Sequence, residues 1–522
     1  MAGSFETIRT AVIEGRAQSP RYIQRQLVSL HDALVKAQSD IRRAIRRETN
    51  YTTGEVDAEI YLALKVLKQE FNAFDFPSVL EAEYSIAHLK DHPSRRVALG
   101  CAYIIPSEHN RFYSIVQPTA AAIAAGNCVM IELADTKHQV DILLRRIICE
   151  SVNQATVAIV AGKPNDQDFF TQHCVVVDTR LTPETRNSAR ALSASSCRNV
   201  AIVDRTVSQA DLALAASEIV RARFSFDGKS PYAPDLVLVN EFVLQQFCRE
   251  AANFATISLV GNVPSTFEDE ETDVAPREPK LGKDAFLETL QKTTGVSTLV
   301  SGTRGTILLV QQRDRSLLSR KINEPTLLIH SIRSLDDGID LINQWYMEDI
   351  VPTPVMAAPA NRMSVCSNNG KTHAAAYLFA NAATAKYLGQ FISYGISYTN
   401  SIPVELLVGP EAPISSAHAA SIQPRYPAEL FSRPSPEHIS PRQEQAMLTA
   451  LVDSSSKDSR RQVQDAVTKA LIPPKQGSGF AVGFFEQGLL IGGAIGIVTI
   501  ASAITALVKY AGPATLRILK WN

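Results

Sequence analysis

At 522 residues the chain is too long for one simple core and implies two or three domains. Its 45% hydrophobic and 20% charged residues are ordinary for a globular protein, and a net charge of −1 gives no basis for nucleic-acid binding. Seven cysteines, at 101, 128, 149, 174, 197, 248 and 366, show no CxxC or metal-ligand spacing and sit mostly in apolar runs, so reduced thiols rather than a disulfide scaffold are expected.

The N-terminus has no apolar h-region, so no secretory signal is expected. Residues 5–75 carry apolar positions such as Ile8, Val12, Ile23, Leu27, Leu30 and Leu34 at three-to-four spacing, which predicts helices. Arg42, Arg43, Arg46 and Arg47 share a helix face and read as a solvated surface rather than a phosphate site. From Arg96 the pattern changes to strand–helix alternation. Strands are expected at 97–105, 128–133, 156–161 and 174–177, with helices at 116–126 and 139–153 between them.

A second alternation begins after Asn199, with strands at 200–203, 236–239, 306–310 and 326–330. The polar, acidic stretch 264–283 and the proline-bearing stretch 351–371 read as irregular insertions. Residues 414–479, rich in Ser, Pro and charge, read as a linker with helices near 442–451 and 460–471. The uncharged run from Gly488 to Val508 is long enough, at ~1.5 Å per residue, to cross a hydrocarbon layer of roughly 30 Å. It predicts a single-pass membrane anchor rather than a buried core helix. Gly488, Gly492 and Gly496 repeat along one face of it, open to helix pairing.

The domain division that follows is a helical region at 1–95, a Rossmann-type domain at 96–205 and a second α/β domain at 206–400. A return segment and linker occupy 401–486, the anchor 487–509 and a short basic tail 510–522. With no signal sequence, the body is expected in the cytosol. The anchor would then sit in the endoplasmic reticulum or in the outer mitochondrial or peroxisomal membrane.

Three segments carry a family resemblance. Gln117-Pro-Thr-Ala-Ala-Ala-Ile-Ala-Ala-Gly-Asn127 is similar to the QPLxxAIAAGN helix of aldehyde dehydrogenases. Gly228-Lys-Ser-Pro-Tyr-Ala-Pro-Asp235 followed by Leu236–Val239 resembles their nucleophile loop, and Ala375-Ala-Tyr-Leu-Phe379 a later strand. Pro325 resembles the proline of their E-x-F-G-P motif, and Gly395 and Asn400 fall near a late Gly…Asn loop. The resemblance covers roughly residues 5–410 and lies closest to the membrane-associated fatty aldehyde branch. It implies two interleaved parallel-sheet α/β domains, here with a C-terminal transmembrane helix, and assembly as a homo- or hetero-oligomer.

In that family a thiolate attacks the aldehyde, hydride passes to NAD or NADP, and water releases the acid. The thiol position is Pro231, which offers neither a nucleophile nor the backbone N–H that would hold an oxyanion. Neighbouring Ser230 lacks an activating base. The oxyanion asparagine corresponds to Asn110 by identity or to His109 by ungapped register. The general-base stretch falls near 193–199 and has no carboxylate, which leaves Cys197 as the one thiol near enough to replace the lost nucleophile. Glu132 stands for the ribose-binding lysine, Asp178 begins the phosphate turn without its glycines, and Lys321 stands for the second ribose ligand, a glutamate.

The resemblance therefore implies no cofactor and a catalytically silent scaffold or partner subunit held to a membrane through 488–508. Two other readings remain open at the level of sequence. One is an NAD(P)-dependent enzyme for fatty or other lipophilic aldehydes with displaced residues. The other is a ligand sensor using the old substrate tunnel.

Overall fold

The computed structural model describes residues 2–133, 138–178, 191–193, 197–260, 295–302, 304–313, 318, 321–350, 373–413, 425–439, 449, 452, 457–471 and 484–518. These fall into two units, Met1–Ile439 and Ser440–Asn522.

The first unit holds fourteen described strands: β1 Arg96–Ala98, β2 Cys101–Ile105, β3 Cys128–Glu132, β4 Val157–Val160, β5 Cys174–Asp178, β6 Ala191–Ser193, β7 Arg198–Val203, β8 Leu236–Asn240, β9 Val296–Gly302, β10 Gly305–Val310, β11 Thr326–Ile332, β12 His373–Phe379, β13 Tyr394–Thr399 and β14 Ser432–Pro434. A five-stranded parallel sheet runs β4-β3-β2-β5-β6. A seven-stranded sheet runs β13-β12-β7-β8-β11-β10-β9, parallel except where β9 returns against β10. The expected α/β class with two parallel sheets is what the chain adopts.

Both sheets are covered on two faces, which is why their strands read as unbroken apolar runs. In the five-stranded sheet Ala102, Val129, Ile131 and Val175 pack under the helices Arg111–Ala124 and Gln139–Ser151. The opposite face, with Tyr103, Met130 and Val176, packs against Ile8 of helix Ala2–Ile13 and against Phe169 and Phe170. In the seven-stranded sheet Ala201, Val237 and Ile329 share the main core with helix Gln209–Phe224. Val200, Leu238, Leu328 and Leu378 form a separate core with Ile342 and Leu388 on the far side.

Several expectations are corrected. The run 97–105 is two strands, because Gly100 at φ +116° breaks it and its Cα faces the carbonyl of His173 at a distance that leaves no room for a Cβ. The helix expected at 116–126 begins five residues earlier, at Arg111. Strand β7 at 198–203 hydrogen-bonds to β8 and β12, so it belongs with the seven-stranded sheet and not with a domain ending at 205. Gly395 lies inside β13 rather than in a loop, and Asn400, left-handed at φ 56°, closes that strand. Residues 425–439, expected in the linker, are packed into the first unit, since Tyr426 and Phe431 are fully buried and β14 pairs antiparallel with β1.

Residues 264–283, 351–371 and 414–424, and all of 442–451 but 449, lie outside the described residues. In the second unit the helix expected near 460–471 spans Lys457–Thr468, and the helix Phe484–Ile518 contains the apolar stretch Gly488–Thr505. Among the described residues it is the one helix long and apolar enough to cross a membrane.

Candidate functional site

The loop between helix Gln209–Phe224 and β8 is built on backbone that few residues tolerate. Phe226 and Asp227 are left-handed at φ 53° and 56°, and Gly228 follows at φ 67°. A Cβ on Gly228 would lie 2.3 Å from the carbonyl carbon of Glu324 and the nitrogen of Pro325, so only glycine fits. The Phe226 ring fills the space beside it, edge-on to Tyr51 at 5.3 Å and to His109 at 6.0 Å.

Beyond the glycine the loop is held by three buried charged groups. Asp235, 2% exposed, takes Arg223 Nη1 at 3.1 Å and the Ile322 N–H at 3.0 Å on Oδ1. Its Oδ2 takes the Asn199 N–H at 2.7 Å and Lys321 Nζ at 3.1 Å. Arg223 is wholly buried and also donates to the carbonyls of Pro234 at 3.2 Å, Ile322 at 2.8 Å and Gly228. Burial pulls its pKa down from the ordinary value, and Asp235 opposes that shift.

Pro231 sits at the centre of this frame. Its carbonyl accepts Asn199 Nδ2 at 2.6 Å and Lys321 Nζ at 2.7 Å. Asn199 is fully used: Nδ2 also reaches the Ala233 carbonyl at 3.0 Å, and Oδ1 accepts the Ala375 N–H at 2.9 Å. Ser230 is buried, and its Oγ accepts the Tyr232 N–H at 3.4 Å with no base bonded to it.

Residues singled out from the sequence are spread around the loop. Of them, the structure joins Lys321 to Pro231 directly. His109 is buried, its Nε2 3.0 Å from the Leu407 carbonyl, and burial pushes it down to about 4, so the ring is neutral. Asn110 donates from Nδ2 to Glu59 Oε2 at 3.0 Å and accepts the Gly409 N–H at 3.0 Å. Both are occupied in joining helices to the 407–409 segment. Cys197 is buried in the main core just before β7. Glu132, at the end of β3, accepts the Tyr103 hydroxyl. Asp178 is fully buried at the end of β5, and the turn after it, 179–183, lies outside the described residues.

The neighbourhood also contains groups the sequence did not announce. Among the described residues the buried Tyr426 hydroxyl has no hydrogen-bond partner, and its pKa is raised by burial and then by nearby Tyr232, Glu411 and Asp178. Arg425 lies 4.6 Å over the Tyr232 ring and donates to the Leu406 carbonyl at 2.6 Å. His373 is 1% exposed, and neither ring nitrogen makes a well-formed hydrogen bond, although the Arg198 backbone lies beside it. Burial, then the charge of Arg198, with a smaller push from Lys321, holds it down to about 3. No local sequence signal marks these residues as buried; Arg223 and Arg425 sit in ordinary polar contexts.

The family model for the aldehyde dehydrogenase family matches residues 6–347. The chain belongs to the aldehyde dehydrogenase family. Among curated relatives, aldehyde dehydrogenase family 3 member B1 of Rattus norvegicus is 21% identical over 367 residues, covering 65% of this chain and 75% of the relative. Among solved structures, substrate-bound AldH of Staphylococcus aureus superposes with a TM-score of 0.65 at 18% identity, over 89% of this chain and 99% of that one. The glyceraldehyde-3-phosphate dehydrogenase GapN of Methanocaldococcus jannaschii, solved with NADP, gives 0.60 at 15% identity, over 84% and 94%. At such identities the structural likeness carries the fold, and the chemistry rests on the residues themselves.

Proposed function

We propose that this chain is a membrane-anchored, catalytically silent member of the aldehyde dehydrogenase family that serves as a scaffold or partner subunit. The observation that carries the reading is Pro231, whose only polar atom is a carbonyl capped by Asn199 and Lys321. Attack on an aldehyde needs a lone pair at that position, and a proline side chain has none. An oxyanion there needs a backbone N–H, and proline has none.

The residues present also fit NAD(P) poorly. Lys321, at the position the resemblance gives to a ribose-binding glutamate, is a cation tied to the Pro231 carbonyl and to Asp235, and it offers a ribose hydroxyl no carboxylate. Glu132 is tied to Tyr103, and the acidic Asp178 opens the segment where phosphates would approach. The displaced-residue alternative finds its candidates engaged elsewhere. Cys197 is sealed in the core, and His109 and Asn110 bind backbone and Glu59.

The apolar stretch Gly488–Thr505 supports a single-pass anchor, with the body on the cytosolic face of the endoplasmic reticulum or of the outer mitochondrial or peroxisomal membrane. Oligomerisation, common in the family, would use such exposed edges as β13, the last strand of the seven-stranded sheet.

The test is calorimetric titration of NAD and NADP into the full chain in detergent micelles, followed by assay with long-chain aldehydes. No heat of binding up to millimolar cofactor is expected. Micromolar binding with aldehyde-dependent reduction of the cofactor would overturn the reading.

A further inference from the structure

The loop that lost its thiol has not lost every nucleophilic atom. Lys321 Nζ stands 2.7 Å from the carbonyl oxygen of Pro231, so an amine projects to the very residue that takes the nucleophile position. Its side chain is mostly buried but 8% exposed, so part of it reaches solvent. Three features around it suit reaction with a carbonyl compound. Asp235 Oδ2, 3.1 Å away, is placed to take a proton. Arg223, bound to the other oxygen of the same carboxylate at 3.1 Å, fixes Asp235 in place beside the amine. His373, buried against the Arg198 backbone and near enough to feel the charge of Lys321, offers a neutral imidazole that can donate and accept.

We propose that Lys321 is a covalent aldehyde-capture residue, holding a lipophilic aldehyde as an iminium beside Pro231. This rests on the reading above in one respect, that the ligands are aldehydes which the chain does not oxidise. The Lys321 ammonium passes one proton to Asp235, and the freed lone pair attacks the aldehyde carbon. The C–N bond forms while the carbonyl π pair moves to oxygen, which takes up a proton. A second proton transfer lets the C–O bond break and water leave, giving Lys–NH⁺=CHR. The sum is RCHO plus an ammonium giving an iminium plus water. No electrons leave the pair, so no oxidant or cofactor is needed.

The charge on nitrogen is unchanged, so Asp235 partners the product as it partners the ammonium. The iminium keeps a single N–H, however. That hydrogen serves Asp235, and the bond from Lys321 to the Pro231 carbonyl is released. Capture would therefore loosen the latch on the loop, a change a partner protein could sense.

The experiment exposes the full chain in detergent micelles to decanal and sodium cyanoborohydride, which reduces an iminium to a stable alkylamine, and locates the decyl group by peptide mass mapping. Lys321 is expected to be alkylated at least about tenfold faster than the exposed Lys68 and Lys90, through positioning of the amine. Lys321→Arg keeps the cation and its bond to Asp235 while removing the reactive amine, and should lose that site alone with its unfolding midpoint retained. Alkylation of Lys321 no faster than of Lys68 and Lys90 would overturn the proposal. Absorbance at the reduced-cofactor band, recorded with NAD and decanal but no cyanoborohydride, tests the silent-enzyme reading separately, so either idea can fail alone.

Discussion

Two turns of this molecule match the family, and they have fared differently. The turn Gly126–Asn127, after helix Arg111–Ala124, keeps its motif, and the loop 228–235 keeps its frame around a proline at 231. In the first, Asn127 Oδ1 accepts the Gly100 N–H at 2.8 Å and Nδ2 donates to the Phe431 carbonyl at 2.9 Å, joining β2 to the 425–439 segment. In the second, Gly228 and Asp235 have equally fixed tasks, pressed against Glu324–Pro325 and accepting four donors. Position 231 is unlike either, because the fold uses only its main-chain carbonyl. Any residue supplies a carbonyl. The fold constrains the side chains whose atoms have no substitute and leaves the side chain at 231 unconstrained.

That contrast can be broken most forcefully at Asp235. Asp235→Ala strands the buried Arg223 and Lys321 cations, and a loss of about 3–5 kcal/mol in unfolding free energy is expected by denaturant titration. A loss below 1 kcal/mol would mean the network does not hold the loop. Gly228→Ala should follow at about 3 kcal/mol, since a Cβ meets backbone at 2.3 Å. Gly162→Ala, with open space around it, is the matched control and should be near neutral. In the other turn, Asn127→Ala leaves the Gly100 N–H without its acceptor and removes one of the two donors on the Phe431 carbonyl, the Leu99 N–H remaining, and should cost about 2 kcal/mol.

A subtler effect is pH dependence. Glu59 and Glu70 are both pushed up to about 7, chiefly by burial and for Glu70 also by facing Glu429, against about 4.3 in the unfolded chain. Their stabilisation is complete below that lower value and is lost as pH rises through 7. His109 and His373 are held down to about 4 and about 3, so their contribution is complete above about 6.5 and is lost as pH falls. The urea midpoint should therefore peak between pH ~5 and ~6. Glu70→Gln should flatten its alkaline side; an unchanged alkaline slope would show that Glu70 ionises normally.

The smallest change is expected at position 231 itself. Pro231→Cys keeps the carbonyl and should cost no more than about 1 kcal/mol, mostly through a freer unfolded chain. On the silent-enzyme proposal it should not create aldehyde oxidation, since a thiol alone brings no activating base. Cofactor reduction by this variant would show that the rest of the site is intact.

Much of the fold was legible because double-sided burial writes itself into sequence. The strands β2, β3, β5, β7, β8, β10, β11 and β12 are apolar runs and were readable as such. The edge strands β9 and β13 were not, since each is half-buried and its residues alternate with polar ones. The tie between 425–439 and β1 was equally hidden, because it rests on a short pairing of Arg96–Ala98 with Ser432–Pro434. At the site, the absence of a thiol was visible in one residue, and the engagement of His109, Asn110 and Asn199 was not.

The sequence by itself determined the family, the apolar C-terminal stretch and the identity of residue 231, because motifs and hydrophobic runs are properties of neighbours along the chain. Tertiary structure alone decided that Lys321, 90 residues away, lies on the Pro231 carbonyl and shares Asp235 with a wholly buried Arg223. The reason is physical. A lysine and an arginine are read as solvent-facing from any local pattern, and they enter the interior only where distant strands bring a carboxylate and a ring of carbonyls to meet them.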